Sequence, residues 1–236
     1  QEHQVEFNIL TVVNRYNADH GAEIYDYLVD QGFTFLQFIP CVEVDPDTRR
    51  VTDFSVTPEQ FARFLCGVFD RWYNDGNPVV SVRDFEAILA VYMGQEAPLC
   101  CYQERCGSYL VVEYNGDVYP CDFFVQDDLL VGNILETPLE RLFEHPVVRR
   151  FAAAKAEPRP ECRECAWLPY CQQGCPRFVD VDGGRQHYLC AAYRRFFAHS
   201  QTGFMALRDR LLQQQGIAPE ATLAPPARPV GRNDPC

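Results

Sequence analysis

The chain has 236 residues, 47% of them hydrophobic, and 33 acidic against 21 basic side chains give a net charge of −12. That length and apolar content suffice for one large or two modest packed domains, which excludes disorder of the whole. A pI near 4.8 without any lysine/arginine cluster argues against nucleic acid or an anionic membrane surface as partner, because phosphate neutralisation needs concentrated basic side chains. No apolar run approaches the roughly 20 residues that cross a bilayer, and QEHQVEF lacks the charged and apolar regions of a signal peptide. A cytoplasmic protein without a membrane partner is expected.

In chain order, the apolar run from Phe7 to Val13 reads as a buried strand. A helix from about Ala22 to Asp30 presents Ile24 and Leu28 on one face and stops at Gly32, a suitable C-cap. A second apolar run, Phe33 to Pro40, completes a βαβ unit with parallel strands. Residues 41 to 56 are polar and read as loop. Thr57-Pro58-Glu59-Gln60 then supplies an N-cap, a proline at the first helical position and a capping-box glutamine. Phe61, Phe64, Leu65, Val68, Phe69 and Trp72 recur at three- and four-residue steps, so an amphipathic helix to about Tyr73 is predicted, its aromatic stripe read as core. Cys66 shares that helix and is assigned no chemistry. A further helix covers about Arg83 to Met93.

Beyond it, SYLVVEYNGDVYPC alternates polar and apolar residues around Asn115-Gly116 and predicts a β-hairpin with a type I′ turn. Thr137-Pro138-Leu139-Glu140 opens a short helix, and a second spans about Pro146 to Ala156. Past Cys190 a helix runs to about Gln215, followed by a proline-rich stretch that reads as a flexible tail.

The chain contains 12 cysteines. Two, Cys41 and Cys66, precede residue 100, whereas nine fall between Cys100 and Cys190. Clustered thiols without a secretory signal point to metal ligands rather than disulfides. Cys162, Cys165, Cys171 and Cys175 stand in C-x2-C-x5-C-x3-C order, and a two-residue gap lets two thiolates meet one metal centre from a tight turn. Upstream, Cys100, Cys106 and Cys121 flank the hairpin in C-x5-C-x14-C order, and Cys190 lies ahead of the last helix. Zinc ribbons also use paired C-x2-C turns, but they present two similar pairs with four ligands per site. Eight cysteines in an asymmetric pattern better suit two four-cysteine iron–sulfur clusters, and both metals stay in play on spacing alone.

The order Cys100-x15-Gly116-x4-Cys121, then Cys162, Cys165, Cys171, Cys175 and finally Cys190, resembles the SPASM domain, the auxiliary-cluster module of many radical S-adenosylmethionine enzymes. Its seven cysteines are matched, with Cys106 as an eighth. Within that superfamily, Cys106, the hairpin exit VYPCDFF and the preceding LQFIPC are similar to anaerobic sulfatase-maturating enzymes, over essentially residues 5 to 200.

By that likeness, Cys100, Cys106, Cys121 and Cys175 would bind a first auxiliary [4Fe-4S] cluster, and Cys162, Cys165, Cys171 and Cys190 a second. Such enzymes oxidise a sulfatase cysteine or serine to formylglycine: a 5′-deoxyadenosyl radical takes a hydrogen from the substrate Cβ, and a base takes the thiol or hydroxyl proton. Asp122, next to Cys121, matches the family's base; an aspartate binding backbone amides at the hairpin end is the other reading. Val42 falls where the family packs an apolar side chain against the adenine of S-adenosylmethionine, or is an ordinary buried loop valine. His20 reads as structural, and Trp167 and Tyr170 as shielding a cluster from water. The implied partners are a sulfatase polypeptide and a reducing donor such as flavodoxin or ferredoxin.

The implied fold is α/β: the last βα units of a partial (β/α)6 radical SAM barrel over residues 1–95, then an α+β SPASM domain over 96–200 with a β-hairpin and cysteine-rich loops, and a tail over 201–236. The family's C-x3-C-x2-C motif is absent from the 236 residues. These residues alone are therefore expected not to cleave S-adenosylmethionine, a third [4Fe-4S] cluster being expected only in a longer protein. GRNDPC resembles the opening of a SEC-C-type zinc-binding tail, with Cys236 the only ligand present. The competing readings are another SPASM radical maturase of peptides or proteins, and a non-catalytic electron-transfer or zinc-binding module.

Overall fold

A computed structural model describes residues 5–48 and 50–217. The GRNDPC segment and Cys236 lie outside the described residues. The chain forms two compact units, one comprising residues up to Ala97 together with those from Phe178 onward, the other Pro98–Arg177.

In the first unit, β1 (Ile9–Val13), α1 (Gly21–Asp30) and β2 (Phe35–Pro40) make the expected βαβ unit. The strands pair in parallel from Ile9 opposite Leu36 to Val13 opposite Pro40. A second crossover follows through α2 (Pro58–Tyr73) to β3 (Ser81–Val82), which pairs in parallel with Phe35 and Leu36. At two residues, β3 is too short to leave a periodic signal in the sequence; Trp72 fixes its approach by donating its indole N–H to Val80 O at 2.8 Å. The capping box of α2 forms as predicted, with Gln60 N donating to Thr57 Oγ1 at 3.2 Å and Thr57 N donating to Gln60 Oε1 at 3.3 Å.

The aromatic stripe of α2 is core. Phe61, Phe64, Leu65, Val68, Phe69 and Trp72 are all buried, and Phe69 lies against Phe85 of α3 (Arg83–Tyr92) at a ring-centroid distance of 5.6 Å. Phe69 also meets Phe204 at 4.9 Å and Phe196 at 5.8 Å, both on the long C-terminal helix Cys190–Gln214. Hydrophobic burial on three helices thus covers one side of the parallel sheet with a single aromatic cluster.

The second unit holds a three-stranded antiparallel sheet of β4 (Val111–Val112), β5 (Asp117–Tyr119) and β6 (Gly132–Asn133), with β5 central. The hairpin exists in the expected place, but its turn is not type I′. Gly116 has φ +89°, whereas Asn115 has no positive φ. Gly116 N instead bonds Glu113 O and Glu113 N bonds Asp117 O, a turn over Tyr114-Asn115 closed by a left-handed glycine. Asn-Gly also suits this three-residue loop, with glycine in the left-handed place, and Asn133 Nδ2 of β6 braces it by donating to Asn115 O at 3.1 Å and to Asp117 Oδ1 at 3.0 Å. Helices α4 (Leu139–Phe143), α5 (Pro146–Ala156) and α6 (Leu168–Cys171) complete the unit; the helix Cys190–Gln214 is α7. Val118 of β5, Val131, Leu142, Val147 and Val148 form its small core.

The fold class is α/β as expected, a parallel βα portion and a cysteine-rich α+β portion.

Candidate metal centre

Helix α5 organises the site. Val148, Phe151, Ala152 and Lys155 recur at helical spacing and so share one face. A Cβ on Gly107, next to Cys106, would lie 3.3 Å from the Ala152 Cβ and 3.6 Å from Val148 Cγ1, so the glycine lets the Cys106 segment run close along the helix. Phe151 meets Phe124, three residues past Cys121, at 5.2 Å between ring centroids. Lys155 Nζ donates to Cys100 O at 2.8 Å and to Cys101 O at 3.0 Å.

Around this face, five cysteines, Cys100, Cys101, Cys106, Cys121 and Cys175, border one cavity of about 390 Å³, open to solvent, which Tyr109, Phe123, Phe124 and Phe151 also line. Cys100 stands on a tight turn, Cys100–Tyr102, and Cys121 follows the last residues of β5. Cys175 arrives through a run of three left-handed residues, Gln172 (φ 46°), Gln173 (φ 67°) and Gly174 (φ 69°). Two of these are not glycine, a conformation that costs about 1–2 kcal/mol per residue and persists only where other contacts hold it. Here Gln173 is buried and its amide is fully engaged: Oε1 accepts from Arg159 N at 2.8 Å and Nε2 donates to Lys155 O at 2.9 Å.

The four cysteines feel one another. Burial pushes the Cys106 thiol up to about 11, with neighbouring Cys100 and Cys121 adding to the rise and Lys155 opposing it. Burial likewise pushes Cys175 up to about 11, and Cys100, Cys121 and Cys106 contribute. Cys121 is raised by burial, opposed by the Tyr109 hydroxyl. An all-thiol set of this kind, with no imidazole or carboxylate bordering the cavity, has the donor chemistry of a four-cysteine iron–sulfur cluster. Metal would have to displace these protons on binding. Among the described residues, no three histidine, cysteine, aspartate or glutamate side chains stand close enough to hold a lone metal ion.

Asp122 is exposed beside the cavity. Tyr109 Oη donates to Asp122 Oδ1 at 2.7 Å and lies 3.4 Å from Cys121 Sγ. The carboxylate thus takes a side-chain partner rather than the backbone amides of a capping aspartate. Burial and the bonds to Cys121 and Asp122 hold the Tyr109 phenol well above its ordinary range, so it stays a donor.

The remaining cysteines fall in two places. Cys162 and Cys165 share a turn, with Cys165 N donating to Cys162 O at 3.0 Å, and burial raises the Cys162 thiol. Cys171 ends α6, behind the buried rings of Trp167 and Tyr170. Cys190 belongs to the other unit, at the first turn of α7, where Gln186 Nε2 donates to its Sγ at 3.2 Å. Val42, also in that unit, is buried immediately past the carboxyl end of β2. His20 makes only a local contact, Nδ1 to Glu23 Oε2 at 2.7 Å. Sequence reasoning missed Lys155, Gln173 and Tyr109; the spacing of Phe151, Ala152 and Lys155 on a helix between two cysteine clusters was the available signal.

Five thiols border a cavity beside a short antiparallel sheet, and residues 100–166 match SPASM, described as an iron-sulfur cluster-binding domain. The chain is a relative of the anaerobic sulfatase-maturating enzymes. It is 35% identical to the cysteine-type enzyme of Clostridium novyi over 200 residues, which is 83% of this chain and 54% of the relative. With the serine-type enzyme of Bacteroides thetaiotaomicron it shares 31% over 237 residues, 92% of this chain and 57% of the relative. The solved structure of native anSMEcpe with bound AdoMet and Cp18Cys peptide superposes with a TM-score of 0.80 at 32% identity, covering 89% of this chain and 60% of that one. The chain therefore spans about half the length of the curated relatives it matches. Among the described residues, no helix is long and apolar enough to cross a membrane.

Proposed function

We propose that these residues are the auxiliary-cluster portion of a radical S-adenosylmethionine enzyme that oxidises a sulfatase cysteine or serine to formylglycine. The observation that carries this reading is the cavity bordered by Cys100, Cys106, Cys121 and Cys175, with Asp122 alongside. Those four cysteines would hold one [4Fe-4S] cluster and Cys162, Cys165, Cys171 and Cys190 a second. When bound, the clusters supply a place for the electron that the substrate releases.

The chain's own residues do the rest. Oxidation of the substrate removes a hydrogen atom from Cβ, a proton from the thiol or hydroxyl, and one electron, which gives the aldehyde directly from serine and a thioaldehyde from cysteine; water then hydrolyses the thioaldehyde to formylglycine with release of hydrogen sulfide. Asp122 takes the proton, because its exposed carboxylate is within reach of a peptide entering beside the cavity. Tyr109 keeps one carboxylate oxygen engaged. Phe123, Phe124 and Phe151 give the cavity an apolar wall. Val42, just past the carboxyl ends of two parallel strands, supplies an apolar contact for the adenine; such strand ends are where open α/β sheets bind ligands. A flavodoxin- or ferredoxin-like donor would supply electrons in the cytoplasm.

Two measurements test the reading. Iron and acid-labile sulfide on the anaerobically reconstituted chain should give roughly eight of each; zinc without sulfide overturns the cluster assignment. The complete enzyme, incubated with S-adenosylmethionine and a sulfatase peptide, should yield formylglycine by mass spectrometry, and recovery of only unmodified peptide overturns the activity.

A further inference from the structure

Lys155 is a lysine where lysines are rarely found: it is 4% exposed, in the last turn of α5. Burying an ammonium without a partner is costly. Its two acceptors are neutral backbone carbonyls, Cys100 O at 2.8 Å and Cys101 O at 3.0 Å. No carboxylate is among these partners. Burial lowers the ammonium's pKa, and the neighbouring Cys106, Cys101, Cys100 and Cys175, all of which border the cavity, oppose that fall.

The same residue reaches the other side of the site through its backbone. Lys155 O accepts from Gln173 Nε2 at 2.9 Å, and Gln173 belongs to the left-handed run that delivers Cys175. One residue therefore grips the turn carrying Cys100 and the loop carrying Cys175.

We propose that Lys155 is a positioning residue of the first ligand set: a buried cation that holds the Cys100–Cys101 backbone and offsets the negative charge that Cys100, Cys106, Cys121 and Cys175 would carry as cluster ligands. It rests on the cluster reading above. Net charge near a cluster and hydrogen bonding around its ligands set its reduction potential, so the cation makes this cluster easier to reduce than the same four cysteines would alone.

The test is an EPR-monitored redox titration of the reconstituted full chain, comparing wild type with Lys155→Arg and Lys155→Gln. The expected result is a lower midpoint potential for one of the two clusters in Lys155→Gln, an unchanged midpoint for the other, and near wild-type behaviour in Lys155→Arg. A fully loaded Lys155→Gln chain with unchanged midpoints, or with both clusters shifted alike, overturns the proposal. If Lys155→Gln retains only about half the iron, recovery in Lys155→Arg supports the proposal and loss in both overturns it. A wild-type chain devoid of iron and sulfide defeats the cluster reading itself, and this proposal with it.

Discussion

The Tyr109 hydroxyl and the Asp122 carboxylate, thirteen residues apart in the chain, are joined by a 2.7 Å hydrogen bond across the mouth of the β4–β5 hairpin. The same hydroxyl reaches Cys121 Sγ at 3.4 Å, so one phenol touches a candidate cluster ligand and the candidate base. In the complete enzyme, Asp122→Asn is expected to lower formylglycine formation by about 10²–10⁴-fold, the usual contribution of a positioned proton acceptor. Tyr109→Phe should cost about tenfold, the worth of one hydrogen bond to a charged group. Peptide mass spectrometry reads both, and unchanged iron content separates a catalytic loss from a lost cluster. Full activity in Asp122→Asn would end its role as base.

The division of cysteines is open to counting. Cys106→Ala and Cys175→Ala should each remove about four irons per chain, and Cys162→Ala and Cys165→Ala about four from the other set. A double variant drawn from one set should lose no more than either single. If Cys175→Ala and Cys171→Ala together behave as one set, the assignment of Cys175 to the first cluster is wrong.

Proton release on metal binding predicts a pH effect on the metal-free chain. The Cys106 and Cys175 thiols sit at about 11 when folded, against an ordinary 9.0. The folded state therefore holds these protons more tightly, and the stability they contribute is complete below about pH 9 and lost as pH rises through about 11. The urea midpoint of the metal-free chain should fall between about pH 8 and about pH 10.5, by less in a Cys106→Ala/Cys175→Ala double variant. Equal falls in the two proteins would show that other groups govern the transition.

Gly116→Ala should destabilise the second unit by about 1–2 kcal/mol. The glycine has φ +89°, and an added Cβ would come within 2.8 Å of Asn133 Oδ1, whose amide ties β6 to the turn. In the first unit, Phe69→Ala should cost about 3–5 kcal/mol, because its ring touches Trp72, Phe85, Phe196 and Phe204. Denaturant unfolding of each variant measures both.

Long, strongly patterned elements were legible in the sequence. The α2 stripe and its Thr57–Gln60 capping box follow from local rules, and α5 begins at Pro146 because proline suits a first turn. What escaped was non-local. Strands β3 and β6 have two residues each, too few to show a period of two. The Asn115-Gly116 turn, which suits either of two hairpin loops by local rules, is braced by Asn133, 18 residues on. Cysteine spacing marked the ligands, but Lys155 and Gln173 act through contacts that no spacing rule encodes, since a buried lysine and a left-handed glutamine run against residue preference.

The turn between Cys171 and Cys175 has a consequence for assembly. A C-x3-C pair on an ordinary helix would present both sulfurs to the same ion, and a passing zinc or iron could capture them together. The left-handed backbone from Gln172 to Gly174 sends Cys175 to the cavity with Cys100, and Cys171 is not among the residues that border it. Chain handedness thereby separates Cys175 from Cys171 in the metal-free fold.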